Sequence, residues 1–284
     1  MSTSLQRTYR NLRVGIAGTV VLLGVSVIVA ATTVGVLPSI SAYYYTSARN
    51  VFVGSLIAAA IAILALSGRG LQRALFDAAA LFAPLVALVP TPIRAGTVPG
   101  YEEACGAAAD CVPAEVIADV DTGVATYLIV GALTLAISVA VTIVAGNGSF
   151  ARSLPSLSIA AVVLLAVFVA WAFFHTAFVE SAHLAAAVAF VGIVALVAVA
   201  NAFDTSPSTM PRRWRRAVYW VIAASMTLDI LVMVIVVAGG NSAGGAVPPV
   251  LLGEAVALLL FVAFWVVQSI EKWDDADPSI AAYR

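Results

Sequence analysis

"HTAFVESAH", residues 175–183, is the one polar interruption in an apolar run that extends from 156 to 203. A helix that crosses a bilayer needs about 20 apolar residues. The run is too long for one crossing and must fold back at this stretch. That reading sets the helix count. With 156–177 and 182–203 as two spans, the other apolar runs are 14–36, 50–67, 74–91, 124–145, 217–238 and 249–269. Together they predict an all-α polytopic membrane protein, a bundle of eight transmembrane helices forming a single integral membrane domain over 1–284. The first run is longer than the apolar core of a signal peptide and has no small-residue cleavage site behind it, so it reads as a span.

The composition agrees. The chain is 62% hydrophobic and 10% charged, where a soluble domain carries about 25% charged residues. Mean hydropathy is +1.06. A net charge of −1 argues against a nucleic-acid partner. Lys272 is the only lysine, and the arginine, alanine and valine richness points to a prokaryote with a GC-rich genome. Basic residues orient membrane proteins, because cytoplasmic loops retain them. With both termini in the cytoplasm, Arg7, Arg10, Arg13, Arg69, Arg73, Arg152, Arg212, Arg213, Arg215, Arg216, Lys272 and Arg284 fall inside, and only Arg49 and Arg94 fall outside. The expected location is the cell membrane, as a multi-pass protein in contact with the lipid bilayer. The cluster Arg212, Arg213, Arg215 and Arg216 reads as an anchor of the inner face; the alternative is a site for an anionic lipid headgroup.

The longest outer loop is 92–123. It holds several acidic residues and both cysteines, Cys105 and Cys111. In an oxidising compartment these form a disulfide closing a small loop; the alternative is a pair of free thiols.

Between the first two helices lies "SISAYYYTSARNVFVG", 39–54. Pro38 is expected to end the first helix at the outer face, and Ser47 to cap the second. The tyrosines then fall at the membrane–water interface. One reading is an aromatic belt with a helix cap. The other is the rim of an outward-facing pocket, to which Ser41, Tyr43 and Tyr44 contribute hydrogen bonds.

This stretch resembles a segment of an uncharacterised prokaryotic membrane family, a domain of unknown function with an I-S-x-Y-Y-x-T-x-x-R-x-V-F-V-G motif. The match runs through Ile40, Ser41, Tyr43, Tyr44, Thr46, Arg49, Val51, Phe52, Val53 and Gly54. The segments 76–91, 211–220 and 249–268 are similar to that family's third helix, a basic lead-in and last helix. The resemblance implies a core of about six helices, with 122–177 as an insertion, and implies no activity. A looser similarity is to the Frag1/DRAM/Sfk1 membrane proteins.

Ionisable residues at bilayer depth are functional candidates. Asp77 lies four residues after Arg73 on one helical face, which suits a local ion pair. Towards the outer side are His175, Glu180, His183, Asp229 and Glu254. All five converge with the tyrosine rim if helices 2, 5, 6, 7 and 8 surround one cavity. Asp229 could instead bond only to Ser225, one turn earlier. Three function classes follow. The first is a protein, non-enzymatic, that binds or moves a small molecule or lipid through an outward-facing polar cavity. The second is a metal-dependent membrane hydrolase acting on a lipid amide or ester, resembling the alkaline ceramidases, with zinc on His175 and His183; those enzymes look to need three histidines and this chain has two. The third is a structural or accessory subunit. No phosphate-binding loop, dinucleotide-binding glycine pattern or haem motif is present, which argues against nucleotide-driven transport by this chain alone; no cofactor is expected, zinc being the alternative.

Overall fold

A computed structural model of the protein describes residues 4–66, 70–105, 110–146, 149–204, 210–240 and 248–273. Arg69 and Arg284, counted above in the charge bias, lie outside the described residues, as does the acidic stretch 274–284. Among the described residues the chain forms eight helices: α1 (Ser4–Val34), α2 (Arg49–Ala65), α3 (Gly70–Leu88), α4 (Ala114–Ala145), α5 (Ser149–Phe173), α6 (His175–Phe203), α7 (Arg212–Ala238) and α8 (Pro249–Glu271). Two-residue strands, β1 (Ile93–Arg94) and β2 (Asp110–Cys111), pair antiparallel. The fold is all-α and polytopic: among the described residues six helices, α1 and α4–α8, contain spans long and apolar enough to cross a bilayer. Helix α2 is apolar but has 17 residues, about 26 Å at 1.5 Å per residue, just short of a hydrocarbon core of about 30 Å. Helix α3 carries Arg73 and Asp77, which pair at 3.6 Å.

Contacts between elements arrange the helices in two groups. Helices α1, α2, α3, α6, α7 and α8 pack each on the next in that order, and α8 returns to α1, closing a ring. The pair α4 and α5 lies against α3 and the start of α6. Beyond Val124, α4 is apolar and exposed along its length. Leucine, valine and isoleucine on such a surface are stable where the surroundings are lipid rather than water. Two aromatic and aliphatic clusters fill the ring. One, at the β1–β2 end, gathers Leu23, Tyr43, Tyr44, Phe52, Val89 and Phe178. The other, at the end holding the chain's N-terminus, gathers Ile16, Ile63, Phe76, Tyr219, Phe264 and Trp265, with the Phe76 and Trp265 rings stacked 5.5 Å apart.

Several boundaries differ from the sequence expectation. Helix α1 starts ten residues before the apolar run, because Arg10 and Arg13 reach the carbonyls of Trp273 and Lys272 and order the polar first turns. It stops at Val34, ahead of Pro38: Gly35 takes a positive φ of 81° and its N–H closes on Ala31 O, the left-handed stop that glycine permits. Helix α4 begins at Ala114, so the loop ends there rather than at 123. Val116, Val120 and Val124 repeat every four residues and bury one face of its first turns. The expected turn at 175–183 is helical. The break is one residue, Phe174 (φ −132°, ψ 42°), which places His175, Glu180 and His183 all on α6.

Candidate functional site

Tyr43 and Tyr44 are buried rather than at an interface, while Ser39 and Ala42 of the stretch line a cavity. Residues Ser41–Tyr45 form a 3-10 turn that dips into the ring, with Tyr43 only 1% and Tyr44 only 3% exposed. Ser39 Oγ accepts the N–H of Ala42 and starts this turn. The Tyr43 hydroxyl donates to Gly35 O and accepts from Leu37 N–H. Arg49 donates to the Tyr44 hydroxyl at 2.7 Å and to Asp119 at 3.0 Å. Tyr45 donates to Thr91 O and packs edge-on against Tyr101. Burial raises Tyr44, Tyr45 and Tyr101 above the ordinary tyrosine range. The start of α2 is held by Thr46, whose Oγ1 accepts Ala48 N–H, and not by Ser47, which is exposed. The sequence could not show that the loop bearing β1 and β2 covers these rings. That loop is closed by a Cys105–Cys111 disulfide and an Arg94–Asp110 ion pair at 3.0 Å.

What the 3-10 turn presents to the bundle interior is Ser41. Its hydroxyl donates to Glu254 Oε1 of α8 at 2.6 Å, and its backbone N–H donates to Oε2 at 3.1 Å. The same hydroxyl meets His183 Nε2 of α6 at 2.8 Å. On the far side of the ring, His183 Nδ1 lies 2.7 Å from Val89 O, at the end of α3. A carbonyl can only accept, so Nδ1 carries a proton. Ser41, His183 and Glu254 are thus brought together from three segments far apart in sequence. His183 is 5% and Ser41 6% exposed; Glu254 is partly exposed, to a cavity.

That cavity has a volume of about 420 Å³. Its wall includes His183 and Glu180 of α6, Asp229 of α7, Glu254 of α8, and the Arg94–Asp110 pair. The remainder is mostly aliphatic, from Leu184 and Val188 to Ile230 and Ala257. Asp229 is partly buried and shares this cavity with Glu254 and His183, and among the described residues no hydrogen bond to Ser225 is formed. A second cavity, about 120 Å³, lies deeper in the ring and shares His183, Ala187, Val191, Glu254 and Ala257 with the first. It is almost wholly apolar, except that it contains Ser41, Thr19 and Ser55. Ser55 is 3% exposed and its hydroxyl has no partner among the described residues.

The remaining candidates sit elsewhere. Tyr43 and Tyr44 do not line either cavity. His175 lies eight residues before His183, about 12 Å along the helix axis. Its Nε2 meets Asp121 of α4 at 2.8 Å, and the same carboxylate oxygen accepts Trp171 Nε1–H at 2.8 Å. The two histidines therefore cannot share a metal ion, and among the described residues no group of three or more His, Cys, Asp or Glu is placed to hold one. Of the basic cluster, Arg215 turns inward. It is four residues before Tyr219 and seven before Ile222, on the buried face of α7. There it pairs with Glu271 at 3.3 Å and donates to Asp204 O, leaving Arg212, Arg213 and Arg216 exposed. Tyr219 also donates to Glu271, at 2.5 Å. This second buried polar group was not anticipated, although arginine at a position with helical spacing to tyrosine and isoleucine is a readable signal. No family model, no curated protein and no solved structure matches this chain.

Proposed function

We propose that the protein resides in the cell membrane with both termini in the cytoplasm, and that it binds or moves a small molecule or lipid through the cavity at its β1–β2 end, open to the outside. Glu180, His183, Asp229 and Glu254 are its polar contacts, and Ser41, which lines the deeper cavity, bonds to His183 and Glu254. The observation that carries this reading is the cavity wall itself. It gathers three carboxylates and a histidine from α6, α7 and α8 inside a mostly aliphatic space of ligand size, which is the usual composition of a small-molecule site. Intramembrane ionisable groups are expensive to hold, and their grouping around a cavity is what function would explain. The large charge bias along the sequence supports the orientation. Arg212, Arg213 and Arg216 are spaced to meet anionic headgroups on the cytoplasmic face.

The test is accessibility. In Val188→Cys, introduced into the cavity wall, a membrane-impermeant maleimide added to intact cells labels the thiol. In Ala198→Cys, set in the buried aromatic cluster, it does not. Failure of Val188→Cys to react from outside, in a protein that folds and inserts, removes the outward-facing cavity and the reading with it.

A further inference from the structure

Ser41 has one hydroxyl proton and stands between two potential acceptors. His183 Nδ1 is committed as a donor to Val89 O, so the hydrogen bonding of the cluster can be counted. In one complete arrangement Glu254 is protonated. It donates to Ser41 Oγ at 2.6 Å, and Ser41 donates to His183 Nε2 at 2.8 Å. In the other, His183 carries both ring protons and donates to Ser41 Oγ, and Ser41 donates to a Glu254 carboxylate. The two interconvert when one O–H proton passes from Glu254 to Ser41 and the Ser41 proton passes to Nε2. Each holds one proton shared between Glu254 and His183, and each has zero net charge. Remove that proton and the single Ser41 proton serves only one of two facing lone pairs. Add a second and the Ser41 hydroxyl proton has no acceptor, while a net positive charge is left in the bundle. Buried polar atoms without partners are costly, and so is an uncompensated charge. The geometry therefore holds the count at one.

The surroundings say what would change that count. On the side of α1, α2 and α3, the deeper cavity adds only the hydroxyls of Thr19 and Ser55 and no charge. On the open side the charged groups are Asp229 from α7, Glu180 from α6, and Arg94 with Asp110 from β1 and β2. Arg94 and Asp110 neutralise each other at 3.0 Å. Asp229 and Glu180 remain, so the wall carries an excess of carboxylate over an aliphatic body. We propose that this cavity takes an organic monocation with an apolar body, and that its binding expels the proton shared by Glu254 and His183. The inference rests on the cavity being a binding site. In the exchange the Glu254 O–H bond, or the equivalent His183 Nε2–H bond, breaks. The proton leaves through the cavity to water, and the cation takes its place beside the carboxylate, so the charge inside the bundle is unchanged. The site exchanges one proton for one cation, the elementary step of proton-coupled export.

The probe is benzyltrimethylammonium, with neopentylbenzene as its uncharged isostere, titrated by calorimetry into the full-length protein in lipid nanodiscs. Measurement in two buffers of different ionisation enthalpy counts the protons released. The expected result is about one proton released per cation bound, an affinity that falls about tenfold for each unit the pH is lowered, and no proton release with the isostere. In Glu254→Gln, with an unchanged thermal transition as evidence of folding, the cation binds without releasing a proton. In Asp229→Asn it binds more weakly but still releases one. Cation binding without proton release in the wild type overturns the proposal, as does release that persists in Glu254→Gln. Binding of the isostere alone overturns the exchange and leaves the cavity reading standing. Binding of neither probe overturns the exchange, and Val188→Cys labelling then decides the cavity reading separately.

Discussion

Ser41→Ala and Glu254→Gln should have very different consequences for stability, although the two side chains touch each other. Among the described residues the Ser41 hydroxyl is the one bridge between His183 Nε2 and Glu254 Oε1. Alanine removes it and leaves two polar atoms facing each other across the gap. A buried polar atom stripped of its partner costs about 1–3 kcal/mol. His183 is deeply buried and incurs the upper part of that range. Glu254 faces the cavity, where water reaches it, and incurs the lower part. The expected loss is about 2–4 kcal/mol. Glutamine at 254, by contrast, reproduces the protonated carboxyl. Its amide oxygen accepts the Ser41 backbone N–H, its NH₂ donates to Ser41 Oγ, and Ser41 still donates to His183. Glu254→Gln should therefore cost about 1 kcal/mol or less at neutral pH. Reversible unfolding in mixed micelles of increasing dodecyl sulfate content, followed by circular dichroism, measures both. A Glu254→Gln variant as unstable as Ser41→Ala would refute the one-proton count, because the isostere of the protonated state would then not fit the cluster.

Three further outcomes are expected. Tyr219→Phe removes only the hydroxyl bonded to buried Glu271 and keeps the ring against Phe264, so the same titration should read a loss of about 1.5–3 kcal/mol, the range for a bond to a charged group. Tyr45, held protonated by burial, loses its proton more easily in the unfolded chain, at about pH 10. Stability is therefore unaffected below that pH and falls as pH rises through it, and Tyr45→Phe should flatten the alkaline slope of a thermal-melting series. Replacing Cys105 and Cys111 together by serine opens a loop closed over a sequence separation of six; chain entropy assigns such a loop about 2 kcal/mol, read as an earlier melt that matches the reduced wild type.

The eight helices were legible as apolar runs, but their ends were not: the fold-back expected at 175–183 falls at Phe174, and α4 starts at Ala114. His183 and Glu254 were legible as ionisable residues within or beside apolar runs, and Ser41 as a hydroxyl of the polar 39–54 stretch. Their partnership was not. It depends on a 3-10 turn entering the ring, and nothing in the order of Ser39–Thr46 reveals whether a tyrosine hydroxyl faces headgroups or the backbone of Gly35. Tyr43 and Tyr44 read as interfacial because the rings suit an interface equally well. They are buried in a cluster that Val98, Val112 and Val116 join from the loop and α4. His175 and His183 looked like a pair because they bracket a polar stretch. As members of one continuous helix they point to different neighbours, Asp121 and Ser41. Arg215 looked like one of four equivalent surface charges until the phase of α7 turned it inward.

The first loop of the protein is completed by its last helix. Leu251 N–H closes on Pro38 O, and the Ser41–Glu254 bond spans 213 residues of sequence. At about 5–20 residues per second of synthesis, the ribosome needs about 10–40 s after making Ser41 before Glu254 exists. Over that interval the hydroxyl of Ser41 and the carbonyl of Pro38 lack their final partners. A nascent chain stalled or truncated before residue 249 would leave this loop unsealed, and so would be recognisable to membrane proteases at its N-terminal hairpin rather than at its broken end. Sealing of the loop between α1 and α2 thus waits for α8.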